Sequence, residues 1–183
     1  MDGKIVFQFS EALPMGMDQL YTHLNVSYPR FYKMDNLSKL GFLASEFLLN
    51  GKISMNYQPY EISTVLSNAS SSLDTDLRYI EASKKAPSPA LFVYTLPNIV
   101  NGEISIRHGF KGESNFFVTP DFDSGFLCDY CNELLKEKSK ICIAGWIEFG
   151  DHLKEAFVYL VGKEQNGLAV DHTSENVFKL YSL

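Results

Sequence analysis

Ser88–Phe126 reads SPALFVYTLPNIVNGEISIRHGFKGESNFFVTPDFDSGF, and its punctuation sets the architecture on either side. The segment Ala86–Pro89 (APSP) is a rigid break. Pro97 suits the first turn of a helix, where a missing N–H costs nothing, so a helix is predicted from Leu96 to Arg107 despite Gly102 inside it. Gly109 and Gly112 close that helix. Asn115–Thr119 (NFFVT) has the aromatic and β-branched composition of a strand. After the turn at Pro120, apolar residues recur at helical spacing over Ser124–Lys138, with Ser124 near the cap.

Working outward, Lys4–Phe9 (KIVFQF) is predicted as a strand ended by Pro14, and Met34–Asn50 as the clearest helix. Ile62–Asn68 (ISTVLSN) is a second strand. Ser70–Ser72 offer capping hydroxyls to a helix from Leu73 to Lys84, whose positive end suits Asp74 and Asp76. Ile141–Gly145 (ICIAG) is the continuous apolar run of a buried parallel strand. Ala156–Val161 follows after a short connection, which predicts antiparallel pairing. The order β-α-β-α-α-β-α-β-β means an α/β fold: a mostly parallel five-stranded sheet with helices on both faces. At 183 residues the chain suits a single domain. Residues 163–183 are more polar and carry no firm assignment.

Composition narrows the function classes. Hydrophobic residues at 45% and charged residues at 21% are ordinary for a chain that buries a core. The net charge of −6, without a basic stripe, argues against nucleic acid and against anionic membrane surfaces. The apolar run Ile5–Phe9 is too short for the core of a secretory leader, and no stretch approaches the ~20 apolar residues of a membrane span. A cytoplasmic location is expected.

Cys128, Cys131 and Cys142 do not form a disulfide framework. Cys128 and Cys131 make a CxxC, but it falls inside a predicted helix rather than at a helix start, where the dipole would lower a thiol pKa. There is no second CxxC and no His pair to complete zinc ligation. Small residues packing a helix, with no metal and no cofactor, are the expectation.

The ordered set Phe92, Thr95, Leu96, Pro97, Asn98, Gly102, Ile106, Arg107, Gly109 and Gly112 resembles, in register, the β-ketoacyl synthase pattern FxxTLPNxxAGxxAIRxGxxGP. Tyr32–Leu49 (YKMDNLSKLGFLASEFLL) is similar to the family's upstream "RMD" or "KMD" helix, and Ile143–Glu148 (IAGWIE) stands at its "LAGG" strand. The likeness covers roughly residues 30–160. It implies the N-terminal half of a thiolase-like fold.

One departure bears directly on function. Where the family has TACxSG, with a cysteine nucleophile at the strand-to-helix elbow, this chain has Thr119-Pro120-Asp121-Phe122-Asp123-Ser124-Gly125. Counting from the threonine puts Asp121 at the nucleophile, and counting back from Ser-Gly puts Phe122 there. Neither forms a thioester. The family's catalytic histidines and lysine lie in a C-terminal half that these residues do not include. His23, His108, His152 and His172 fall in no matching motif, and His108 at a helix end is expected as a cation at the negative pole.

The resemblance therefore implies a non-catalytic subunit of chain-length-factor type, similar to shortened partners in aryl polyene pathways. It would serve polyketide or fatty-acid synthesis by pairing with a full-length β-ketoacyl synthase, with an acyl carrier protein as a possible further partner and a homodimer when isolated. By the same resemblance, Phe116, Phe117 and Val118 lie on the interface strand, and Leu91, Phe92 and Thr95, with Asn98 behind them, reach the partner's acyl tunnel. Two alternatives stay open: a stand-alone acyl-carrier or acyl-group binding module, and a residual enzyme using Asp121 or Asp123 as a base.

Overall fold

The computed structural model describes residues 16–49, 57–150, 153–163 and 170–183. The strand expected at Lys4–Phe9 lies outside them. The elements run α1 (Met17–His23), α2 (Asn36–Leu49), β1 (Ile62–Asn68), α3 (Leu73–Ser83), α4 (Pro89–Val93), α5 (Ile99–His108), β2 (Ser114–Val118), α6 (Ser124–Glu137), β3 (Ile141–Phe149), β4 (Lys154–Gly162) and α7 (Ser174–Tyr181). Short 3-10 turns lie at Pro29–Lys33 and Pro59–Glu61. The sheet order is β2-β1-β3-β4, with β1 parallel to both neighbours and β4 antiparallel to β3. The α/β class and the antiparallel last strand are as expected, with four strands among the described residues rather than five.

Both faces of the sheet are covered, which is why β1 is buried along its whole length. On one face α2 and α5 meet Leu66, Ile143 and Ile147 through Leu37, Leu40, Val100 and Ile104. The two helices approach so closely that a Cβ on Gly41 would collide with Val100. On the other face α6 and α7 bury Leu127, Leu134 and Val177 against Val65, Ala144 and Tyr159. Outside α2, α1 and the first 3-10 turn add an aromatic cluster in which Tyr21 stacks on Phe31 at 4.1 Å.

Several motif residues have plain structural work. Asp35 of the KMD triplet accepts Ser38 N–H at 3.0 Å, capping α2, and Thr75 Oγ1–H at 2.8 Å, holding α3. Arg107 grips Glu46 through two hydrogen bonds of 2.6 and 3.2 Å, with its guanidinium over Tyr28 and Phe42. Gly109 ends α5 at φ +74°, a conformation that favours glycine.

Three expectations need correction. The helix placed at Leu96–Arg107 begins at Ile99, and a separate helical turn, α4, precedes it. Ser88 Oγ accepts Leu91 N–H at 3.3 Å, so Pro89 is the first-turn proline, while Pro97 restrains Leu96 from helical geometry and sits in the connecting turn. The strand placed at Ile141–Gly145 continues to Phe149, because Trp146–Phe149 pair in register with Lys154–Phe157. His108 is not the cation at the end of α5: burial holds its pKa below the ordinary value, leaving it neutral at neutral pH, and Arg107 carries the charge there.

Candidate functional site

The elbow between β2 and α6 is closed by hydrocarbon and by its own cap. Thr119 N–H donates to Asn68 O at 2.9 Å, and Thr119 Oγ1 donates to Asp121 O at 2.9 Å, folding the turn back on itself. Asp121 is exposed. Phe122 points inward, its ring 4.1 Å from Tyr181 of α7, 5.5 Å from Phe157 and 6.3 Å from Trp146. Asp123 caps α6 by accepting Phe126 N–H at 2.9 Å, the ordinary use of an acid at a helix start. The next residue, Ser124, is buried and shares a 2.9 Å hydrogen bond with Ser174 at the head of α7. Glu155 accepts from Tyr181 at 3.2 Å, and burial first, then this bond, pushes the phenol pKa up to about 12. No thiol stands at the elbow.

The opposite condition holds around α3 and α4. Helix α3 is attached through polar contacts: Thr75 to Asp35, Asn36 Nδ2 to Asp74 at 2.9 Å, and Ser72 Oγ to Thr95 O at 2.7 Å. Its apolar stripe, Leu73, Leu77 and Ile80, faces solvent. Spacing of four and three residues makes this one continuous face. Phe92 on α4, 55% exposed, lies 5.4 Å from the Tyr79 ring and extends the surface to Val93 and Leu96, also exposed. Leu91 and Thr95 are half-buried, and Asn98 is exposed at the start of α5.

Among the described residues, strand β2 is an edge of the sheet. Thr64 N–H bonds Glu113 O and Thr119 N–H bonds Asn68 O, so the odd-numbered residues from 113 to 119 direct their backbone groups toward β1. Ser114, Phe116 and Val118 direct theirs outward, in a pattern symmetric about Phe116. The side chains divide differently. Phe116 packs on the α2/α5 core, Phe117 packs edge-on against Phe126 and Tyr130 at 4.7 and 5.0 Å, and Val118 is 55% exposed. The pairing of Asn68 with Val118 and the Ser72–Thr95 bond bring the end of this edge and the α4 turn to the same end of the sheet.

The cysteines are packing groups. Cys128 and Cys131 lie in the middle of α6, buried against Cys142 of β3. Burial pushes the Cys128 thiol up to about 11, the reverse of what a redox cysteine needs. Cys131 is raised by hydrogen bonding to Cys142 and then by burial. Among the described residues no group of three or more His, Cys, Asp or Glu is placed to hold a metal, and no helix is long and apolar enough to cross a membrane.

No protein-family model matches the chain. No curated protein matches it either. Solved structures do. The ishigamide ketosynthase/chain length factor superposes with a TM-score of 0.63 at 17% identity, covering 74% of this chain and 46% of that one. The fold is that of ketosynthase and chain-length-factor structures. The ketosynthase ApeO in complex with its chain length factor ApeC, from Xenorhabdus doucetiae, gives 0.59 at 13% identity, covering 94% of this chain and 75% of that one. AntDE:AntF, a type II polyketide synthase acyl-carrier protein in complex with its ketosynthase, gives 0.52 at 14%, covering 73% and 45%. At such identities the likeness is one of fold. The chain spans less than half the length of two of these structures and three quarters of the third.

Two features of this region went unread in the sequence. The outward stripe of α3 was visible as Leu73, Leu77 and Ile80, but spacing alone does not say whether a stripe faces the core. Helix α7 carried a cap and helical spacing, with Thr173 accepting Asn176 N–H at 3.3 Å.

Proposed function

We propose that this chain is a non-catalytic, chain-length-factor-type subunit that pairs with an active β-ketoacyl synthase in polyketide or fatty-acid synthesis, the aryl polyene pathways being the best match. The observation that carries the reading is the edge that β2 presents among the described residues. Its outward groups at Ser114, Phe116 and Val118 are spaced symmetrically about one residue, which suits antiparallel pairing with a like strand across a two-fold axis. The exposed apolar residues of α4 and α3 supply the hydrophobic area that a stable pair needs beside that edge. Leu91, Phe92 and Thr95, with Asn98 behind them, line the partner's acyl tunnel in this reading.

The elbow supports the non-catalytic half of the proposal. A condensing ketosynthase needs a thiolate at the helix start and proton-transfer partners beside it. Here the start of α6 carries Asp123 as its cap and the Phe122 ring beneath α7. The test is to co-express the chain with a complete ketosynthase from its own genomic neighbourhood, purify through a tag on this chain, and assay condensation by each protein alone and by the pair. A stoichiometric complex, with activity only when the ketosynthase is present, is expected. Turnover by this chain alone, freed of any ketosynthase, overturns the non-catalytic assignment. Co-purification of an acyl carrier protein without a ketosynthase replaces the pairing with the carrier-binding alternative.

A further inference from the structure

Residues 170–183 lie across α6 and reach the elbow, and one imidazole anchors them. His172 Nδ1 is 2.9 Å from Asn132 Oδ1, and its Nε2 is 3.1 Å from Tyr159 Oη and 3.6 Å from Cys128 Sγ. An amide oxygen only accepts, so Nδ1 carries the proton and Nε2 presents a lone pair. Tyr159 O–H and Cys128 S–H then donate to it. The two Nε2 contacts use the neutral ring, while the Asn132 bond is made by either form. Downstream, Ser174 bonds Ser124, Val177 is fully buried against the α6 core, and Tyr181 packs on Phe122 at a tilt of 32°.

We propose that residues 170–183 are a strap over the elbow, held shut by neutral His172 and released when that ring is protonated. Protonation removes the acceptor that Cys128 uses, forces the buried Tyr159 hydroxyl to turn from donor to acceptor, and places a charge that no carboxylate among the described residues faces. Among the described residues, α6 presents Cys128 and Asn132 to the ring, β4 presents Tyr159, and none of these is a carboxylate. Asp171 beside it is exposed, and its backbone oxygen is taken by Thr173 N–H and Asn176 Nδ2. The proposal stands independently of the ketosynthase reading.

Burial holds the His172 pKa down to about 4, against 6.5 for a free histidine. A depressed pKa favours the closed state fully above 6.5, and that preference is lost as pH falls through 4. With those two values the opening constant rises about 20-fold between pH 7 and pH 5. Release uncovers Phe122, the seat of Val177 and the Cys128 thiol, whereas Cys142 stays within the sheet.

The full chain is therefore labelled with 4,4′-dithiodipyridine, a disulfide that reacts with thiols in acid, and each cysteine is quantified by peptide mapping. Labelling of Cys128, normalised to an unstructured cysteine peptide, should rise about 20-fold from pH 7 to pH 5 while Cys142 stays protected. His172→Gln, which does not titrate in this range, should give a flat ratio. A parallel rise of Cys142 means global acid unfolding and overturns the strap, as does a flat Cys128 profile or an unchanged rise in His172→Gln. If that variant does not fold, amide exchange in wild-type α7 decides. Exchange must accelerate with acid ahead of β1 and β3 once the intrinsic rate is removed, and loss of all three together refutes the proposal.

Discussion

The two regions of this molecule that a ketosynthase-like fold would use are finished in opposite ways. At the elbow, Asp123 is a cap, Ser124 bonds Ser174, and Phe122 packs against Tyr181, while Asp121 is exposed. At α3, α4 and the β2 edge, large apolar side chains and, among the described residues, the outward backbone groups of β2 face away from the core. A chemical site needs reach to a reacting atom, and the closed region offers hydrocarbon. A docking site needs desolvatable area and unpaired backbone, and the open region has both. In the proposed reading, this contrast assigns the chain's work to its surface rather than to its elbow.

The largest expected effect tests the open side. Val118→Lys puts a charge on an exposed side chain of the edge strand, so the isolated fold should keep its stability to within about 0.5 kcal/mol. In the proposed complex that charge is buried without a partner, at a cost of several kcal/mol out of the ~8–12 kcal/mol of a micromolar-to-nanomolar pair. Size exclusion of the co-expressed proteins should show the complex gone. Phe117→Lys makes a poorer test, because Phe117 packs on Phe126 and Tyr130 and its loss damages the fold itself. A complex that survives Val118→Lys removes β2 from the interface.

On the closed side, Phe122→Ala should lower stability by about 2–3 kcal/mol in urea unfolding, below the full-core value because the ring is only half-buried. Phe122→Cys should restore no condensation, since the described groups around that position are the rings of Trp146, Phe157 and Tyr181. A smaller cost, ~1–2 kcal/mol, is expected for replacing Cys128 and Cys131 together by alanine, with partner binding intact and no change on chelation. Stoichiometric zinc that disappears with the cysteines contradicts their role as packing groups.

The α/β frame was legible because its elements carry strong local signals. Ile62–Asn68 is bounded as expected, the helix expected from Met34 starts two residues later at Asn36, and the helix at Ser124 starts as expected but with Asp123 as its cap. The turn around Pro97 was misjudged because two prolines compete for the first-turn role, and the Ser88 hydroxyl that favours Pro89 is a weak signal in sequence. The site was legible in part: the missing elbow cysteine is a sequence fact, but its closure by Phe122 and Tyr181 joins residues far apart in the chain. His172 illustrates the limit. Its partners, Cys128, Asn132 and Tyr159, come from two other elements, and no spacing rule connects them.

The smallest expected effect on the fold is the most informative about function. Phe92 is 55% exposed on a short helix, touching the Tyr79 ring at 5.4 Å, so Phe92→Ala should change unfolding free energy by under ~0.5 kcal/mol. The complex should persist, because backbone pairing along β2 and the remaining apolar residues of α3 and α4 still hold it. Removing a ring from a tunnel wall changes the space open to a growing acyl chain, so the pair's product-length distribution should shift while total turnover stays similar. Leu77→Ala is the matched control: equally exposed and apolar, on the stripe of α3, and outside the residues assigned to the tunnel. Product profiling of wild type, Phe92→Ala and Leu77→Ala then separates two uses of one apolar surface. A shift with Phe92→Ala alone supports a tunnel wall, equal shifts with both indicate a general effect of the interface, and no shift with Phe92→Ala removes the ring from the tunnel.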